Sequence, residues 1–153
     1  FGGVITSIDE SGYHGRVAVE PAYYSAPMYW STDLSNTTSY DPEHTSPHSQ
    51  DYDGRNNTIR ILDFYIDSDE SPLAAEYASN LNINGYDDWY LPTLQEITII
   101  EDVIDISEIA VWSCIEAGDD QVWAHQVRLG HSHSNTMKHD TYHGPVTIPI
   151  RRF

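Results

Sequence analysis

This sequence predicts an α+β domain with small antiparallel sheets, two or three helices and long irregular loops. Three observations carry that prediction. Short apolar runs joined by turn residues sit near both ends of the chain. Two helix starts lie between them, Ser71-Pro72 and Thr93 with Glu96 three residues on. Residues 21–57 follow neither the helix nor the strand period and are broken by Pro21, Pro27, Pro42 and Pro47. The length of 153 residues suits one domain, 1–153, with a real core.

Residues 3–8 alternate weakly and predict a first strand. Asp9 to Gly15 is rich in Gly, Ser and Asp, the residues of tight turns. Val17 and Val19 share one face of the next run, so the two runs predict a hairpin. The stretch 21–57 is polar, yet Tyr23, Tyr24, Tyr29, Trp30, Tyr40 and Tyr52 are scattered through it; they predict an ordered, irregular loop pinned at several points. Over 58–66, Ile59, Leu62 and Ile66 fit a helical face, whereas Ile59 and Ile61 fit a strand. Ser71-Pro72 predicts a cap and a first-turn proline, with Leu73, Tyr77, Ala78 and Leu81 on one face and Asn84-Gly85 closing the helix. Trp89, Tyr90 and Leu91 read as a short buried strand ended by Pro92. Thr93 and Glu96 then form a capping box for a third helix over 94–103, carrying Ile97, Ile99 and Ile100. Strands follow at 110–115 and 121–129, joined by Ala117-Gly118-Asp119-Asp120, and 146–153 is the last strand.

The stretch from Gly85 through Asp88-Trp89-Tyr90-Leu91-Pro92-Thr93 to Glu96-Ile97 resembles the "G-x-x-D-W-x-L-P-T/S-x-x-E-L" signature of the Lcl C-terminal domain family, also called the Fibrobacter succinogenes major paralogous domain. Gly2-Gly3-Val4-Ile5 with Asp9-Glu10-Ser11-Gly12-Tyr13-His14-Gly15 is similar to that family's opening. Val111-Trp112-Ser113 and Val122-Trp123 are similar to internal motifs, and Ile148-Pro149-Ile150-Arg151-Arg152-Phe153 to the closing "V-R-P-V-R-x-F", with Thr147 in place of its first arginine. The resemblance covers nearly the whole chain. It implies a C-type-lectin-like (sulfatase-modifying-factor-like) fold, a helix over 58–66, a last strand near the first, and a place among bacterial surface and phage-associated proteins. It implies little about function, because such folds host many binding tasks. Many members carry a cysteine where Ala78 stands; its absence here removes a possible pairing for Cys114, the chain's single cysteine.

A net charge of -17, from 24 acidic against 7 basic residues, argues against nucleic-acid binding and against adhesion to an anionic membrane surface. It reads as a solvated acidic surface, with divalent-cation binding as the alternative. No apolar run approaches the roughly 20 residues that span a bilayer, so membrane insertion is not expected. With no initiator Met and no signal peptide, the chain is expected to begin after a cleavage or to be a fragment of something longer.

Residues 130–144 are polar but for Met137 and lie between two predicted strands. His, Ser, Asn and Tyr there offer donors and acceptors on short side chains, as in antibody loops. The candidate ligand-binding residues are His131, His133, Asn135, His139, Asp140 and Tyr142, with His125 and Trp123 on the preceding strand. In the family this stretch is often asparagine-rich, and the replacements here are reachable from asparagine codons by changes at adenine. Diversity-generating retroelements mutate adenines in this part of C-type-lectin-like genes, so a variable surface is one reading; a drifted polar loop is the other. A zinc site at His131-x-His133 with His125, His139 or His143 lacks a third ligand at a diagnostic spacing. Asp51, Asp53 and Asn56 resemble the start of a calcium (Ca2+) loop but lack its distal glutamate. No nucleophile elbow, phosphate loop or dinucleotide turn is present, so no enzyme is expected. The expected function is extracellular, on a cell surface or virion: a receptor-recognition or adhesion domain on a phage fibre or bacterial surface structure, binding a cell-surface glycan or protein. The alternative is a repeating subunit of an extracellular filament or virion, with homo-oligomer or fibre contacts.

Overall fold

Val4–Ile8 (β1) and Gly15–Ala18 (β2) form the expected antiparallel hairpin, with Ile8 opposite Gly15 and a bulge between Ile5 and Ser7. Asp9 builds the turn. Its carboxylate accepts the Ser11 hydroxyl at 2.6 Å and the amides of Ser11 and Gly12 at 3.0 Å, and the Ser11 hydroxyl foremost holds it below the usual carboxylate range. Ile150–Arg152 (β6) pairs with β2, giving the order β1-β2-β6; the last strand shares a sheet with the first but sits beside the second. The computed structural model describes residues 2–32, 53–69, 71–118, 121–126, 134–137 and 145–153.

The early part of the irregular stretch is pinned as its aromatics suggested. After one 3-10 turn at Pro21–Tyr23, Ser25 N donates to Thr147 O and Met28 N to Pro145 O, and the fully buried Trp30 donates its indole N–H to Ser113 O at 3.0 Å. Tyr40 and Tyr52 lie outside the described residues. The loop ends earlier than expected, because Gly54–Tyr65 is already helix (α1) behind the Asp53 cap.

The ambiguity over 58–66 resolves as helix, but its face differs from the apolar pattern. Gly54, Asn57, Thr58, Ile61 and Tyr65 are buried, while Ile59 and Ile66 are exposed. The reason is polar. Thr58 Oγ1 donates to Gly54 O at 2.8 Å and accepts Leu91 N at 3.0 Å, so small and hydroxylated residues turn inward where the helix meets the signature.

Leu73–Ser79 (α2) starts one residue after the predicted proline and has no side-chain cap. It buries Ala74, Ala75 and Ala78, leaving Leu73, Tyr77 and Leu81 half-buried. Asn84 and Gly85, with φ of 56° and 85°, do not end this helix; they form a two-residue turn between the bridged Ile83 and Tyr86. Trp89, Tyr90 and Leu91 are buried as expected, though the strand reduces to one antiparallel bridge, Tyr90 with Ile150, at the outer edge of β6.

Leu94–Glu101 (α3) carries the predicted capping box, with Glu96 N donating to Thr93 Oγ1 and Thr93 N to Glu96 Oε2, each at 3.1 Å. Ala110–Gly118 (β3), Gln121–Gln126 (β4) and Ser134–Met137 (β5) form the second antiparallel sheet, in that order. β5 is a correction, since the sequence read 130–144 as one loop. One apolar cluster joins Val17, Trp89, Tyr90, Ile97, Val111 and Ile150; another joins Trp30, Ile61, Ala78, Leu91, Trp112 and Cys114. The chain is thus α+β, with three helices and two small antiparallel sheets among the described residues. No described helix is long and apolar enough to cross a membrane.

Glu96 does more than cap. Its side chain is 2% exposed; Oε1 accepts the Tyr90 hydroxyl at 2.9 Å and Arg16 Nε at 3.2 Å, and lies 3.5 Å from Arg152 Nη2 in an ion pair. Burial, then the neighbouring Glu96 charge, pushes the Tyr90 phenol up from its ordinary value, so it stays a donor. A Cβ on Gly54 would strike Glu96 Oε2, which is why glycine stands there. Truncation would leave two guanidinium groups and a phenol short of their acceptor. Glu96→Ala is expected to lower unfolding free energy by about 2–4 kcal/mol and Glu96→Gln by less, because the amide oxygen can still accept. Urea denaturation checks this: the midpoint should fall in that order with an unchanged slope.

Candidate ligand-display sheet

The second sheet is fixed along β3 and extends away from it. Residues 111–115 of β3 are all buried. Cys114 N donates to Pro92 O at 2.8 Å, Trp112 N to Val146 O at 2.9 Å, and Trp112 Nε1 to Met28 O at 2.9 Å. Asn57 of α1 donates to Cys114 Sγ at 3.5 Å. Burial raises the Cys114 thiol well above its ordinary pKa and keeps it a protonated, unreactive core group. Four separate segments therefore hold β3; β4 pairs with it in register, and β5 pairs in turn with β4.

The sequence-predicted ligand residues divide by position. Trp123 and Asn135 are register partners across β4 and β5, and His125 lies two positions along β4, opposite Val111 of the anchored strand. These three therefore share one small sheet. His131, His133, His139, Asp140 and Tyr142 lie outside the described residues, as does His143, so the zinc reading falls there too. Trp89 takes the buried position expected of it, and Trp112 is also in the core.

The calcium candidates are placed differently from expectation. Asp53 is the N-cap of α1: Oδ1 accepts Asn56 N at 3.3 Å and lies 3.4 Å from Arg152 Nη2, while Oδ2 accepts Asn56 Nδ2 at 2.9 Å. Both carboxylate oxygens are committed to the helix end and to a cation, and Asn56 turns its amide nitrogen, not its oxygen, toward them. Asp51 lies outside the described residues. No cluster of three or more metal-ligating side chains occurs among the described residues.

Sequence reasoning missed one tie in the frame. Arg151 forms a two-point pair with Asp88, Nε to Oδ1 at 2.6 Å and Nη2 to Oδ2 at 3.3 Å, and its guanidinium lies 4.1 Å from the Tyr86 ring centre. The signature and the closing motif were read separately, and Asp88 in one with Arg151 in the other was the signal. An open groove of about 420 Å³ at the hairpin end is lined by His14, Arg16, Arg152 and Phe153, but both arginines are already engaged by Glu96.

No protein-family model matches the chain, and no curated protein matches it.

Because Asp53 caps a helix, removing divalent cations is expected to leave the thermal midpoint unchanged. A melt with and without excess chelator checks this; a fall of several degrees would restore calcium as a structural ligand.

Proposed function

We propose that this chain is an extracellular recognition domain of C-type-lectin-like type, akin to the Lcl C-terminal domain family, displayed on a phage fibre or bacterial surface structure. Its ligand is a cell-surface glycan or protein, and its work is binding, with no catalytic step. The observation that carries the reading is the sheet: β3 is held in the core by four segments, β4 leads into the polar segment, and β5 falls within it, with Trp123 opposite Asn135 in register. A fixed frame lowers the ordering cost of binding, which favours polar surfaces that depend on many modest contacts.

The family likeness gains support from motif residues far apart in sequence that meet in space. Asp88 of the signature pairs with Arg151 of the closing motif, and Tyr90 bridges Ile150. Trp112 of the internal motif is buried in the core.

Simultaneous replacement of His131, His133 and Tyr142 by alanine is expected to weaken binding on the order of 100-fold or more, given what anchor residues contribute. The measurement is retention on arrayed bacterial glycans and on whole cells, with the melting curve as a folding control. A variant that folds and binds as well as the parent contradicts the proposal.

A further inference from the structure

Helix α1 leaves an apolar stripe uncovered. Ile59 is 47% exposed and Ile66 76%, with Leu62 half-buried between them. The stripe starts at exposed Arg55, and the spacing from Arg55 to Ile59, Leu62 and Ile66 is four, three and four residues. Those intervals put all four on one side of a helix. They also read the same in either direction, so the stripe is complementary to an antiparallel copy of itself.

The charges run against the helix dipole. The first turn holds Arg55 and no acid, and the last turn holds Asp63 and no base. Beside the acidic end, a groove of about 420 Å³ between α1 and α2 is lined by Leu62, Asp63, Ile66 and Glu76 among others. Two carboxylates beside the Leu62 and Ile66 side chains suit a guanidinium on a flexible apolar stem. Arg55 has no ion-pair partner of its own among the described residues.

We propose that α1 is a two-fold interface between copies of this chain. Ile59 of one copy packs on Leu62 of the other, and Arg55 enters the groove of its partner beside Asp63 and Glu76. A second copy fits because the same helix supplies the cation at one end and the carboxylate-lined groove at the other, and antiparallel docking joins each to its complement twice. The net charge of -17 per chain opposes association at long range, but at about 0.15 M salt that repulsion is screened beyond roughly 8 Å while close pairs persist. One helix pair makes a small contact, so a weak dimer is expected, with Kd on the order of 0.1 mM.

The test is sedimentation equilibrium of the full chain up to about 1 mM, a concentration range set by that affinity. The parent should dimerise. Arg55→Asp alone and Asp63→Arg alone should each weaken association on the order of tenfold or more, since each faces like charge with like. Mixing the two variants should restore dimers, because Asp at 55 then meets Arg at 63; restoration also shows that both variants fold. A parent that stays monomeric throughout overturns the proposal. So does a dimer indifferent to both substitutions, or a mixture that fails to recover.

Discussion

The carboxylate of Glu96 is the point on which the frame depends. A carboxylate this well buried must be matched by hydrogen bonds and opposite charge. Here the matching groups come from four places: Thr93 at the start of α3, Tyr90 in the signature, Arg16 of β2 and Arg152 of β6. Their demands fix much around them. Gly54 must lack a side chain, and α1 must begin where Asp53 can cap it and reach Arg152. Strand β6 is gripped from both faces, because neighbouring residues on a strand point opposite ways. Arg152 meets Glu96 and Asp53, while Arg151 meets Asp88 and the Tyr86 ring. The signature, residues 85–97, thus ties strand β6 to strand β2.

What could be read from the sequence was local. The capping box and the buried Trp89 follow from spacing within a few residues, and each stands in the structure. Contacts made across the chain were not legible: Arg16 and Glu96 are 80 residues apart. The faces of two helices were misjudged. Apolar count favoured Ile59, Leu62 and Ile66 on α1 and Leu73, Tyr77, Ala78 and Leu81 on α2. Close contact with the Leu91 backbone turned Gly54 and Thr58 inward on one, and on the other Ala78 is buried with Ala74 and Ala75 while the larger residues stay half-buried. Strand β5 escaped because Ser134-Asn135-Thr136-Met137 has no apolar alternation; pairing with β4 defines it. Of the candidate site, the backbone places Trp123, His125 and Asn135 on one sheet, a grouping that sequence proximity suggested only for the first two.

The frame and the proposed recognition surface divide the labour physically. The first sheet, the helices and β3 hold the apolar clusters and the buried ion pairs, so changes there cost stability. The polar segment follows β4, whose neighbour β3 is anchored in the core. Substitution in a polar loop joined to an anchored frame suits a surface whose ligand preference changes while its support does not.

If Glu96 ties the signature to both strands, the amides of Tyr90, Thr93, Glu96 and Ile150 belong to one cooperative unit with the β1–β2 hairpin. Native-state hydrogen exchange tests this most directly. These amides should exchange only through global unfolding, with opening free energies equal to that measured by denaturant. Exchange of Thr93 and Glu96 through a lower-energy local opening, while the β2 amides stay protected, would contradict the account.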